Sequence, residues 1–133
     1  MLWRAAGGLA IVVFLSGPAI AEGQLQSCSA SPKLTGQCFD VQGRLFLASG
    51  TPGIRIRPSG TKRLLGVVNS DGSDSENDAT LPAQISKIWL QNRLKSAVIG
   101  DFNVCPLSHE TPGAMRMVCI AGATNLSETP LKP

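Results

Sequence analysis

Four cysteines, Cys28, Cys38, Cys105 and Cys119, constrain this chain more than any other feature. What they imply depends on the compartment, and the N-terminus bears on that. MLWRAAGGLAIVVFLSGPAIA carries one charge, Arg4, in a short head. An apolar run from Leu9 to Leu15 follows, then Gly17–Pro18 and the small-residue pattern Ala19-Ile20-Ala21. This is the order of a secretory signal peptide over residues 1–21. The apolar run is short for a bilayer span, and no stop-transfer flank follows it. No cysteine stands at the expected cleavage point, so a lipid anchor is not expected. The mature chain is expected to begin near Glu22 and to work in the periplasm or outside the cell.

Taking 21 residues from 133 leaves 112, enough for one domain with a modest core. Arg4 leaves with the signal, so the formal net charge falls from +3 to +2. In an oxidising compartment an even number of cysteines favours two disulfides over metal ligation. Three pairings are possible. The local set, Cys28–Cys38 with Cys105–Cys119, is the simplest by loop closure. Each bond contributes on the order of 3 kcal/mol by restricting the unfolded chain. A zinc site would need more ligands than Cys105 and His109 supply, and no C-x-x-C occurs. No metal and no cofactor is expected.

Residues 22–37 are polar, with Gly, Ser and Pro, and read as an irregular arm. From residue 39, Phe39, Val41, Gly43, Leu45 and Leu47 alternate with Asp40, Gln42, Arg44 and Phe46, the period of a strand. Gly43 marks a bend or bulge. Residues 49–53 form a turn; residues 53–58 and 64–68 give a second and a third strand. NSDGSDSENDAT, residues 69–80, has no large apolar side chain and reads as a solvated loop. Its aspartates resemble a calcium loop, but aligning Gly72 with the EF-hand glycine puts Val67 at the first ligand position, so that pattern fails. Leu81, Ile85, Ile88 and Trp89 then fall on one face of a helix, with Thr80 as its cap and Pro82 in its first turn. At that spacing Trp89 belongs to a core. Residues 98–105 and 114–121 read as two more strands, divided by Pro112–Gly113. The domain is expected over residues 38–126, with a loose tail over 127–133.

Strand, strand, strand, helix, strand, strand is the order of an OB-fold. The chain is expected to be mainly β: a small five-stranded, OB-like antiparallel barrel with one helix between strands 3 and 4. Three blocks carry a second resemblance: FDVQGRLFLASGTPGIRIRPSGTKRLLGV, GDFNVCP and PGAMRMVCIAGATNL. They resemble a group of small exported bacterial proteins patterned C-x-x-V-x-G-R-L, P-x-x-R-I-W-x-x-G-T-K-R-x-L-G-V, G-D-F-x-V-C-P and M-V-C. That group has no assigned activity, so the likeness implies location and fold. The chain departs from it at Arg57, where the group has Trp, and at Gln42, where His is common; a site built on either would be missing.

Catalysis finds little support. His109, beside Ser108 and Glu110, is the one histidine, and adjacent residues point apart. No G-x-S-x-G, H-E-x-x-H or phosphate-binding glycine loop occurs. Asp40 and Asp101 are a conceivable carboxylate pair. Binding is the better class. Arg44, Arg55, Arg57, Lys62 and Arg63 gather between residues 39 and 63 against a single acid, Asp40, and Phe46 shares the outward face of Arg44. Such a face suits phosphate, sulfate or carboxylate groups. The mature chain has few aromatic rings to stack bases, and export removes most nucleic acid from reach, so nucleic acid is disfavoured. The expected partner is an anionic envelope or extracellular component, or an acidic protein surface, met by a monomer. The bland alternative is that the acidic loop 71–78 folds back and neutralises the face. The alternative function is an interaction or inhibitor protein acting through the disulfide-held loop 106–113.

Overall fold

The computed structural model describes residues 7–13, 27–74 and 79–131. A 3-10 turn, Cys28–Ala30, precedes β1 (Phe39–Leu47), β2 (Ile54–Pro58), β3 (Leu65–Val67), α1 (Ala83–Trp89), β4 (Ser96–Pro106) and β5 (Arg116–Pro130). The described residues are mainly β, and one short α-helix among them lies between β3 and β4 as the pattern of periods predicts. The strands hydrogen-bond in the order β1-β2-β3-β5-β4, and β4 pairs back onto β1, so the ring of pairings closes. An all-antiparallel ring was expected and is not what forms: β3 and β5 run parallel. The reason is parity. Alternating direction around a closed ring requires an even number of strands, so five must leave one parallel pair.

Buried positions follow the alternation. Leu45, Ile54, Ile56, Val67, Val98, Phe102, Val104 and Val118 point inward and are at most 1 % exposed. Ile85 and Trp89 of α1 close the core, both fully buried, and Trp89 Nε1 donates to the Ser96 carbonyl at 2.9 Å. The helix is shorter than its sequence pattern and starts differently. Pro82 is its N-cap and no side chain caps it; Thr80 instead donates its N–H to Asn69 Oδ1 at 2.6 Å.

Two further expectations are corrected. The stretch expected as a loose tail over residues 127–133 is, through Pro130, the last four residues of β5, paired with β4 as far as Ser96↔Pro130. Polar side chains hide this end of a strand held by main-chain bonds, with Ala123 and Leu126 the strand's links to the core. The irregularities in register fall between β4 and β5, at Ile99/Asp101 and Asn103/Val104, and not at Gly43. β1 pairs regularly through Gly43 on both sides. What Gly43 provides is close approach: a Cβ there would stand 2.4 Å from the Arg57 carbonyl oxygen. Gly43→Ala should therefore push β2 away and destabilise by about 1–3 kcal/mol; thermal unfolding at the wild-type temperature would contradict this.

The local disulfide set is also overturned. Cys28 bonds Cys119 and Cys38 bonds Cys105, leaving no free thiol. Strand register explains the second bond. Phe39 pairs with Val104, so the residue before one lies beside the residue after the other, Cys38 beside Cys105. Cys119 is the register partner of Cys105 on β5, and the arm lays Cys28 against it. The arm is tied further by Thr35, whose N–H donates to the Pro106 carbonyl at 2.9 Å. Among the described residues no helix is long and apolar enough to cross a membrane. The expected cleavage region around Ala21 and Glu22 lies outside the described residues.

Candidate functional site

The six residues expected to form one basic face divide into three groups. β1 and β2 place Arg44 directly opposite Arg57, and Phe46 opposite Arg55. Arg57 is exposed and its guanidinium carbon lies 5.7 Å from the centre of the Phe46 ring, a cation–π distance. Arg44 donates weakly to the Pro130 carbonyl, at 3.4 Å. Between and beside these three side chains lie two shallow hollows, of about 190 and 280 Å³, edged by Ile99 and Leu131. Among the described residues, neither Arg44 nor Arg57 pairs with a carboxylate. This trio is the part of the expected face that the fold brings together.

Arg55 leaves it. Its Nε donates to the Pro52 carbonyl at 3.0 Å and its Nη2 to the Ser49 carbonyl at 3.0 Å. It fastens the β1–β2 turn, so its donors point away from Arg57. Lys62 and Arg63 lie in the β2–β3 turn, on the edge of a separate groove of about 710 Å³ shared with residues 110–115. There Arg63 forms an ion pair with Glu110.

The loop after β4 rests on a rigid base. The Ser108 carbonyl accepts from Thr35 Oγ1 at 3.0 Å and from Arg116 Nε at 3.3 Å, while Ser108 Oγ accepts the Met117 N–H at 2.8 Å. The neighbouring His109 is exposed. Asp40 and Asp101 do not form an isolated carboxylate pair. Asn103 donates to Asp40 and Asn125 to Asp101, each at 2.8 Å, along a polar groove of about 480 Å³ on β1, β4 and β5. The four cysteine sulfurs are bonded in two pairs; those of Cys28, Cys105 and Cys119 lie within 4.8 Å of one another, so the two disulfides sit side by side.

Of the acidic loop, residues 75–78 lie outside the described residues. Its first acid, Asp71, accepts from the Ser73 hydroxyl and from the Ser73 N–H. The hydroxyl, then the N–H and nearby Lys33, hold its carboxyl below the usual carboxylate range. The described part of the loop is moored to the arm, where Ser31 Oγ donates to the Ser70 carbonyl.

Sequence reasoning missed Arg116, whose guanidinium carbon lies 5.6 Å from the Phe39 ring centre. It missed the Asn103 and Asn125 amides as well, because single amides in strands carry no spacing signal. Comparison with protein-family models, with curated proteins and with solved structures finds no match.

Proposed function

We propose that this is an exported, non-enzymatic binding module that grips an anionic group between Arg44 and Arg57. The observation that carries the proposal is their direct opposition on β1 and β2, with no carboxylate on either among the described residues. Like charges placed opposite each other destabilise a strand pair. A phosphate, sulfate or carboxylate lying between them relieves that repulsion and accepts paired, charge-assisted hydrogen bonds. Phe46 keeps Arg57 oriented from one side and offers a ring to an apolar or sugar portion of the ligand.

Further features support the reading. The element order and the closed ring of pairings have the layout of an OB-fold barrel, whose ligands often lie across strands 2 and 3; here the pair sits one strand over. Two disulfides suit a non-reducing compartment. Leu9, Ile11, Val12 and Val13 stand exposed outside the core, as a segment removed on export would. The likeness of residues 38–126 to small exported bacterial proteins points the same way.

A second reading, an interaction or inhibitor protein using loop 106–113, is favoured by the three hydrogen bonds that hold Ser108, since a preordered loop loses less entropy on binding. Capture from envelope extract separates the two. The immobilised wild type should retain an anionic component that raised salt releases, because screening weakens exposed charge pairs. Arg44→Ala with Arg57→Ala should lose it while melting as the wild type does. Capture of one protein that resists salt and survives the double change would instead support the loop.

A further inference from the structure

A broad groove lies apart from the Arg44–Arg57 pair, between the β2–β3 turn and the loop joining β4 to β5. Its volume is about 710 Å³, within the range of sites that take several side chains. Leu64 and Met115, both half-buried, supply apolar surface within it, with Pro112 and Ala114 at the side. Lys62 and Arg63 stand on the rim as two cations against one anion, Glu110. Apolar surface under a cationic rim is complementary to a strand of peptide that alternates carboxylates with apolar side chains. It suits a small inorganic anion poorly, since such an ion leaves the apolar surface uncovered.

Both walls are already ordered. In the turn, Thr61 Oγ1 donates to the Pro58 carbonyl at 3.0 Å and accepts the Arg63 N–H at 3.3 Å. In the loop, Ser108 is held from three sides. Among the described residues an ion pair between Arg63 and Glu110 joins the walls, and its side chains remain 47 % and 54 % exposed. A carboxylate already occupies the position that an arriving carboxylate would take. An exposed pair of this kind contributes little to stability, so exchanging one carboxylate for another costs little.

We infer that the groove between residues 62–64 and 110–115 is a second binding site, for an acidic–apolar peptide segment of a partner protein, and that Glu110 is its internal competitor for Arg63. The site shares no residue with the Arg44–Arg57 pair, so either proposal can fail alone.

The test is calorimetric titration of the full mature chain with a short synthetic peptide alternating glutamate and leucine. The wild type binds it, and a peptide with glutamine in place of glutamate does not bind. Glu110→Gln, which frees Arg63, tightens binding about two- to five-fold, the value of an exposed ion pair. Arg63→Gln weakens it about ten-fold or more, the loss of a charged hydrogen bond. Lys62→Gln weakens it in the same direction, and Arg44→Ala with Arg57→Ala leaves it unchanged. Lys62, Arg63, Glu110 and Arg57 are exposed and Arg44 half-buried, and thermal unfolding of each variant confirms that it is folded. Failure of the glutamate–leucine peptide to bind overturns the proposal. So does a Glu110→Gln variant that binds no tighter, or loss of binding in the Arg44/Arg57 variant but not in Arg63→Gln.

Discussion

Replacing Cys28 and Cys119 together by alanine, with the Cys38–Cys105 bond nested inside and intact, should lower the free energy of unfolding by about 3–4 kcal/mol. The bond they form closes a loop between residues 91 apart, and the Cys38–Cys105 bond one of 67. Loop-closure entropy grows with the logarithm of length, so either bond restricts the unfolded chain more than a local Cys28–Cys38 link, worth roughly 3 kcal/mol, would. A domain of this size has only about 5–15 kcal/mol in all. The double variant should thus lose a large share of its stability, and the Cys38/Cys105 variant a similar one. Urea unfolding measures both. Peptide mapping without reductant should find Cys28 joined to Cys119; a Cys105–Cys119 link, or a loss below about 1 kcal/mol, would refute the pairing.

The second large effect is in the core. Trp89→Ala should destabilise by about 3–5 kcal/mol, through lost burial and the cavity left behind. It also leaves the buried Ser96 carbonyl without its indole donor. Trp89→Phe refills part of the space, and should recover all but the unmade hydrogen bond, about 1 kcal/mol, and a small void. Circular dichroism in urea follows the transition in both variants without relying on the indole. An alanine variant as stable as the wild type would mean that α1 does not close the core.

Trp89 was legible because a helix period of four apolar residues admits only one face. β1 and β2 were legible for the same reason at period two: Leu45, Ile54 and Ile56 fell inward as their alternation required. The second half of β5 was not, because its pairing with β4 rests on main-chain groups, which every residue carries and no composition reveals. Disulfide pairing was not legible either. Closure favours the nearest cysteine along the chain, whereas strand register brings Cys38 beside Cys105, and register appears only once β1 and β4 are paired. The basic cluster shows the same limit. Alternation correctly put Arg44, Arg55 and Arg57 outside the core, but direction within that outer surface depends on local acceptors. The Pro52 and Ser49 carbonyls turn Arg55 aside, and Glu110, distant in sequence, takes Arg63. What remains of the expected site is narrower than the sequence implied: two guanidiniums and one ring.

That remnant is the centre of the account, and it is tested most directly residue by residue. Arginine Nε resonances of the mature chain can be followed by nitrogen-15 NMR at low salt while tripolyphosphate is added. If Arg44 and Arg57 grip anions together, their two signals shift and saturate along one curve, and added salt reverses both. Those of Arg63 and Arg93 stay near their starting positions, and the Phe46 ring signals move with Arg57. Small shifts spread evenly over every arginine, with no saturation at Arg44 or Arg57, would contradict the account and leave β1 and β2 with an ordinary solvated face.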